Sequence, residues 1–362
     1  MFRKARLSFL CFALPFLVGS CFSQPRKLQE ATSIDFPVIE EFAEETAPYN
    51  LSGASTFIRD GQTFLATVTD EGSEFLVLRL GESPKTFYFN LEELSRDIFP
   101  ESPKEIDLEG VSVLGDHIFL MGSASLKRKK PKGGKLKKDL KRLLTLEPGS
   151  GGTIEEPIPH TNQLFVLKLP SSNGELLTPV LEKTIDLRGL LQNDPYLKGF
   201  LAIPSKDNGV DFEGIAVTPK SIFLGMRGPV LRGHAVILSL STPSVLGTSL
   251  QNSASIEYQR FFLYLQGFGI RAMAPRDRTS NSPIMISAGP TMTHLGPFHL
   301  FQWDGLNHAM SAKIRPRVLK KVGKLPVPDP RAKAEGIFRY QGGLGVLFDG
   351  PKGGAPKRIP LP

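Results

Sequence analysis

The sequence predicts an all-β protein, a β-propeller of about six blades with five to seven possible. Short apolar strands bounded by turn residues, a high content of Gly and Pro, and a repeated Glu-Gly unit predict it. The 362 residues include 35 glycines and 30 prolines, and this share of helix-breaking residues is too high for a helical bundle. Hydrophobic residues make up 40% and charged residues 22%, values that exclude wholesale disorder and a multi-span membrane protein.

The strands are indicated by apolar runs that end at Gly, Pro, Asn or Asp, and no helical period runs through the chain. Short helices are expected only near 91–98 and 187–191. The clearest predicted strands are 63–69, 74–80, 117–121, 163–169, 221–226, 235–240, 283–288 and 298–303.

The repeat is most evident where Glu precedes Gly and a branched apolar residue, as in Glu109-Gly110-Val111. The same unit recurs at Glu213 and Glu335, and weaker copies without Glu surround Gly53 and Gly269. Short strands repeated at an interval of roughly 40–50 residues are typical of propeller blades.

The interval between the second and third copies is about twice the others. It holds two blades in a six-bladed ring, or one blade with a large insertion in a five-bladed ring. Because the last unit is short, an N-terminal strand within 34–39 or 54–58 is expected to close the ring. The predicted organisation is a leader at 1–24, an N-terminal segment with the closing strand at 25–50, and one propeller domain at 51–362, interrupted by a basic insertion at 126–160.

The leader predicts an exported protein. Arg3, Lys4 and Arg6 precede a short apolar run over Leu7–Val18, which suits a signal peptide. The run ends before Cys21 in a sequence similar to the bacterial lipobox, which predicts lipidation of Cys21. The alternative is an ordinary cleaved signal. The expected location is therefore the cell envelope, lipid-anchored, or the periplasm or medium.

Charge and cysteine content exclude several classes of function. The net charge of +8 is concentrated in 127–142, a segment without aromatic residues, so no specific nucleic-acid binding is expected. This segment either contacts anionic lipid beside a lipidated Cys21 or is simply solvated. The sequence contains two cysteines, Cys11 and Cys21, and both precede the propeller. Disulfides, catalytic thiols and thiolate metal sites are therefore excluded from the propeller.

The repeated acids are the first candidate site. Equivalent repeat positions lie at equivalent radii, so Glu109, Glu213 and Glu335 are expected to converge at the central channel, with Asp211 on the same strand face as Glu213. Clustered carboxylates repel one another unless a proton or cation lies between them, and oxygen-only ligands suit calcium or magnesium. The alternative is structural: these acids accept hydrogen bonds from backbone amides or pair with arginines.

A second candidate site combines Arg227, Arg232, His234 and Arg271. Arginine forks bind carboxylates or phosphates, so Arg227, Arg232 and Arg271 are predicted to bind a small anionic substrate. His234 is predicted as a general base, with Arg227 and Arg271 as catalytic partners. The alternative is that the arginines pair with the repeated acids and His234 is a turn residue.

Several segments together resemble the bacterial family called domain of unknown function 3616, over about residues 50–350. The resemblance implies a propeller-like protein of uncharacterised activity. The family commonly has Asp where this chain has Ala272. The chain also resembles, more loosely, the esterase-like domain of phytase and the gluconolactonase-type propellers, in which a channel glutamate binds a divalent metal. The segments that carry the main resemblance are 212–216, 224–235, 269–271, 287–290 and 334–337.

Three functions follow as hypotheses. The first is an exported hydrolase that uses a divalent metal to attack phosphate or carboxylic esters. The second is a non-catalytic propeller that binds a ligand or an envelope protein. The third is a structural component of the envelope. The fold does not decide among them, and a monomer is expected.

Overall fold

The computed structural model describes residues 32–33, 50–99, 105–128, 157–172, 175–247, 256–292, 296–305 and 319–361. The leader at 1–24 with Cys21, the predicted strand at 34–39 and most of the basic run at 127–142 lie outside these residues.

The described strands form five four-stranded antiparallel sheets, the blades of a propeller. Blade 1 consists of β2 (Leu51–Arg59), β3 (Gln62–Thr69), β4 (Glu74–Leu80) and β5 (Lys85–Asn90). Blade 2 consists of β6 (Leu108–Leu114), β7 (His117–Gly122), β8 (Gln163–Lys168) and β11 (Val180–Asp186). Blade 3 consists of β12 (Asp211–Val217), β13 (Ser221–Gly228), β14 (His234–Ser241) and β15 (Tyr258–Tyr264).

Blade 4 consists of β16 (Gly269–Pro275), β17 (Ile284–Gly289), β18 (His299–Trp303) and β19 (Leu319–Lys324). Blade 5 consists of β20 (Lys333–Tyr340), β21 (Gly343–Asp349), β22 (Lys357–Ile359) and β1 (Thr32–Ser33). A small hairpin, β9 (Ser171–Ser172) with β10 (Glu175–Leu176), extends blade 2. Short α-helices lie at Leu91–Ser95, Leu187–Leu191 and Thr242–Gly247.

The innermost strand is the first in chain order in blades 1 to 4 and is β20 in blade 5, and each one contacts the innermost strands of both neighbouring blades. These strands, β2, β6, β12, β16 and β20, therefore surround a central channel. Their N-terminal ends meet at one mouth of the channel and their C-terminal ends at the opposite mouth.

The hydrophobic core lies between the blades rather than in one central mass. Each of the five boundaries between neighbouring sheets holds a cluster of buried apolar side chains. Phe165 packs at the boundary of blades 1 and 2, Phe212 at that of blades 2 and 3, and Phe338 at that of blades 5 and 1. Strands such as β17 are buried on both faces, which explains their nearly continuous apolar sequence.

The predicted all-β propeller is confirmed, with five blades, a count within the predicted range. The long interval between repeats is one blade, blade 2, because the insertion runs between β7 and β8. A strand from the N-terminal segment pairs with the last blade, since Thr32 lies opposite Arg358. Residues 54–58 instead belong to β2, the innermost strand of blade 1. None of the described helices is long and apolar enough to cross a membrane.

Candidate functional site at the acidic mouth of the channel

Every innermost strand carries a β-bulge within its first three residues. One residue is left without a partner in the ladder, and a bulge redirects the side chain at that point. The bulged residues are equivalent around the ring: Gly53, Glu109, Glu213, Arg271 and Glu335. The Glu-Gly repeat of the sequence is therefore the signature of this bulge.

The glycine after each glutamate is required by the close approach of the next blade. A Cβ atom on Gly110 would lie 2.8 Å from Ile215 Cγ2, and one on Gly214 would lie 2.7 Å from Ile270 Cγ2. Each contact joins a strand to the innermost strand of the following blade. The Glu-Gly unit thus combines a carboxylate redirected by the bulge with a position where any residue larger than glycine would displace the neighbouring strand.

Blades 3 and 4 share a buried network of ion pairs. Arg227, on the second strand of blade 3, pairs with Asp211 and places its Nη1 2.7 Å from Glu213 Oε1. The other oxygen of Glu213, Oε2, lies 2.9 Å from Arg271 Nε. Although burial opposes its charge, Asp211 and Glu213 raise the pKa of Arg227, which is ionised at all accessible pH.

The network continues into blade 5. Arg271 also pairs with Glu335, whose Oε1 lies 3.7 Å from Lys333 Nζ. Lys333 in turn pairs with Asp349, its partner across the β20–β21 ladder. Arg271 is 3% exposed and Glu335 3% exposed, so these charges compensate each other almost out of contact with water.

The side of the mouth formed by blades 1 and 2 is different, because Glu109 has no basic partner among the described residues. Ser52 Oγ lies 3.1 Å from both Glu109 Oε2 and the Glu109 carbonyl oxygen, so its one hydroxyl proton is shared between these two acceptors. Asp107, directly before β6, accepts a hydrogen bond from Ser123 and lies 3.0 Å from Lys127 Nζ. Lys127 also pairs with Glu105 at 2.5 Å.

Burial and the surrounding acids change the titration of this side. Burial raises the pKa of Glu109 well above its usual range, and Glu213, Asp107 and Asp70 raise it further. Burial and the nearby Asp349 raise the pKa of Asp70 to about 7. Asp70 Oδ1 is buried and accepts no hydrogen bond within the described chain. Strongly shifted carboxyls in a cleft are candidates for a functional site.

The predicted metal ligands are close together, but they are engaged with arginines. Asp211, Glu213 and Glu335 all form ion pairs with Arg227 or Arg271, and only Glu109 of the predicted set does not. Within the described part of the chain no group of three or more carboxylate, histidine or thiol side chains is arranged to hold a metal ion. The donor set at this mouth therefore does not fit the predicted metal.

The second predicted constellation is divided. Arg227 and Arg271 lie in the network, whereas Arg232 is exposed in the turn before β14 and His234 begins that strand. His234 Nδ1 lies 3.2 Å from the Arg232 carbonyl oxygen, and its ring packs 5.2 Å from that of Tyr264 on the outermost strand. Neither residue bonds to the network in the described structure.

Asp70 and Asp349 are site residues that the repeat alone does not indicate. Each ends the second strand of its blade or directly follows it, as Arg227 nearly does in blade 3. A charged residue at the end of an apolar second strand was the available signal in the sequence.

Comparisons with known proteins give a family and distant structural similarities. The α-L-arabinofuranosidase of Podospora anserina is 9% identical with a TM-score of 0.46, over 92% of this chain and 98% of that one. A thermostable family-43 glycoside hydrolase is 9% identical with a TM-score of 0.38, over 87% and 89%. The Nup133 β-propeller domain of Vanderwaltozyma polyspora is 7% identical with a TM-score of 0.38, over 84% and 72%.

Similarities at this level do not transfer an activity to the chain. A search of curated proteins found no match. The family model described as "Protein of unknown function (DUF3616)" matches residues 53–355, which comprise all five innermost strands except the first residues of β2. The chain therefore belongs to the DUF3616 family.

Proposed function

We propose that this protein binds a small organic cation, an ammonium or guanidinium group, at the acidic mouth. The observation that carries the proposal is Glu109, a carboxyl at a bulge position with Ser52 as its donor and no ion pair in the described structure. The acids Glu213, Asp107 and Asp70 raise its pKa, and the nearby cations Arg227 and Arg271 form their ion pairs with other carboxylates. Burying such a group is costly unless a proton or a cation compensates it.

The asymmetry of the network supports a ligand over a purely structural role. On the side of blades 3 to 5, Arg227, Arg271 and Lys333 form ion pairs with the carboxylates, as a structural lock between blades requires, although burial still raises the pKa of Asp211 to about 7. On the side of blades 1 and 2, the bulge position of blade 1 is Gly53 and supplies no charge. A cation from solution would supply, beside Glu109, the positive charge that Arg271 supplies beside Glu213 and Glu335.

Binding should be coupled to proton release. Because the pKa of Glu109 is raised, this carboxyl holds a proton under conditions where an ordinary glutamate is ionised. A bound cation favours the ionised form and displaces that proton. The affinity should therefore increase with pH until Glu109 is ionised in the free protein.

Ester hydrolysis by acid–base catalysis without a metal is the second candidate function. It is favoured by Asp70, because a carboxyl with a pKa of about 7 is matched to proton transfer near neutral pH. In such a reaction Asp70 would take a proton from water and Glu109 would give one to the leaving group. A rate that depends on pH near 7 and is lost in Asp70→Asn would support this role.

The metal-dependent and anion-binding versions of the function receive less support at this mouth. Arg227 and Arg271 each contact two carboxylates, so their charges are already neutralised, although the Nε of each makes no hydrogen bond within the described residues. The same pairing occupies the predicted metal ligands. Binding of calcium or magnesium is therefore treated as an alternative result of the binding experiment.

The experiment is calorimetric titration of the full chain with agmatine, which carries both a guanidinium and an ammonium group, and separately with calcium and magnesium chloride. Wild type is compared with Glu109→Gln and with the control Glu93→Gln, an exposed acid outside the mouth. Saturable agmatine binding that weakens at least about tenfold in Glu109→Gln and is unchanged in Glu93→Gln supports the proposal.

No saturable agmatine binding up to about 10 mM would overturn the proposal. Calcium binding without agmatine binding, lost in Glu109→Gln, would replace the organic cation by a metal.

We further propose that this site works outside the cytoplasm, at the cell envelope. The support is the sequence of 1–24 and of Cys21. Fractionation of cells that express the full chain, with antibody detection, tests it. An envelope protein partner stays a prediction from the sequence.

A further inference from the structure

The opposite mouth of the channel contains a cavity with the reverse electrostatic character. Its volume is about 240 Å³, and residues from all five blades line it. It adjoins a second cavity of about 690 Å³, and both are lined by Thr56, Arg278 and Arg339.

Two arginines and one acid, Asp277, line this cavity. Arg339 is the next-to-last residue of the innermost strand of blade 5 and is only partly exposed, and Arg278 lies exposed in the turn after β16. Neither guanidinium forms an ion pair or a hydrogen bond within the described residues. Burial and the like charge of Arg278 lower the pKa of Arg339 to about 10, and the nearby Asp277 offsets this only in part, so the guanidinium is charged at neutral pH and only partly compensated.

The one carboxylate in the lining is Asp277, and it is already engaged. Asp277 Oδ1 lies 2.9 Å from the Thr279 amide and 2.5 Å from the Thr279 hydroxyl, both of which donate to it. One acid against two arginines leaves a net positive cavity.

The lining also holds hydroxyl groups with a free donor. Ser55 Oγ accepts a hydrogen bond from the Val113 amide at 3.1 Å, and Ser112 Oγ accepts one from the Val217 amide at 3.0 Å. Both bonds join neighbouring blades and fix the oxygen atoms, while neither hydroxyl donates to another described residue. Each O–H is therefore available to an acceptor in the cavity.

We propose that this cavity is a binding site for a small anion with a carboxylate or phosphate group, held by Arg339 and Arg278 and by the hydroxyls of Ser55 and Ser112. Guanidinium groups match the oxygens of both anions. The site is independent of the acidic mouth, since it lies at the other ends of the innermost strands.

The test is calorimetric titration of the full chain with inorganic phosphate and, separately, with malonate, which distinguishes the two anion classes. Arg339→Gln removes one of the two guanidinium groups. It should weaken binding of the preferred anion at least about tenfold, because a hydrogen bond to a charged group contributes strongly to binding. Ser112→Ala should weaken it several-fold and leaves all charges in place. The matched control is Arg331→Gln, an exposed arginine in the loop before β20.

The expected result is saturable binding of one anion that is weakened by Arg339→Gln and Ser112→Ala and unchanged by Arg331→Gln and Glu109→Gln. Absence of saturable binding of both anions up to about 10 mM would overturn the proposal. Equal weakening by Arg331→Gln would overturn it too, as nonspecific attraction. Tighter anion binding in Glu109→Gln would place the anion at the acidic mouth, because this substitution removes a repelling carboxylate there, and would also contradict the proposal.

Discussion

Arg271 Nε lies 2.9 Å from Glu213 Oε2, and this contact crosses the boundary between the third and fourth blades. Both residues occupy the same bulge position of their own blade. An arginine therefore stands where its neighbours in the ring have glutamate. Because this one position carries a positive rather than a negative charge, two carboxylates, Glu213 and Glu335, can be buried on either side of it.

Replacing Arg271 by Met should destabilise the protein by about 3–5 kcal/mol, because it leaves two buried carboxylates without their shared partner. Urea denaturation followed by fluorescence measures the loss. The control is Arg331→Met, which removes an exposed charge and should change the free energy of unfolding by less than about 0.5 kcal/mol. Equal stability of Arg271→Met and wild type would contradict the ion-pair lock between blades.

Gly214→Ala should cost about 1–3 kcal/mol, since its Cβ would lie 2.7 Å from Ile270 Cγ2 of the next blade. Thermal unfolding measures the effect. Gly199→Ala is the matched control, because a Cβ there meets no atom within 4 Å. If the two substitutions lowered the melting temperature equally, the close approach of the innermost strands would not be what requires glycine.

The free energy of unfolding should fall as pH rises through the raised pKa of Glu109. The folded state holds this proton more tightly than the unfolded chain. Stabilisation from the proton is therefore complete below the ordinary glutamate pKa of about 4.3, and it is lost as pH passes the folded value. Asp70, whose pKa is raised to about 7, acts in the same direction.

In Glu109→Gln the decline in stability with rising pH should be smaller, since the amide carries no titrating proton. Urea denaturation at a series of pH values checks this, with Glu93→Gln as the exposed control. A pH dependence of Glu109→Gln that superimposes on that of wild type would show that Glu109 titrates normally.

Cys21→Ser should move the protein from the membrane fraction to the soluble exported fraction, if Cys21 carries the lipid that the sequence predicts. Detergent phase partitioning and mass spectrometry of the mature N-terminus measure this. A wild-type chain that is soluble and lacks a lipid would favour ordinary signal cleavage.

The sequence predicts the fold well because the strands and the Glu-Gly repeat are local signals. The blade number is less determined, since one long interval is compatible with either two blades or one blade with an insertion. The glycine repeat places the weak copies one and three residues away from their structural equivalents, because the residues that follow the bulge, as Gly110 does, are Ala54 in blade 1 and Ala272 in blade 4. Bulge position depends on strand register, which composition does not reveal.

The candidate site is predicted in part. The convergence of Glu109, Glu213 and Glu335 follows from the repeat, and pairing with arginines was one of the alternatives. Which acid stays without a base depends on the order of blades and on cross-strand partners such as Asp349. His234 was grouped with Arg227 because the two are near in sequence, yet a turn separates their strands and places them at different distances from the channel.

The most direct test of the central claim is the pKa of Glu109 in the full chain, measured by carboxyl ¹³C NMR with Glu109→Gln to assign the resonance. The account predicts a titration well above the usual glutamate value of about 4.3, moving to lower pH when agmatine binds. A resonance that titrates near 4.3 and does not respond to agmatine would contradict it.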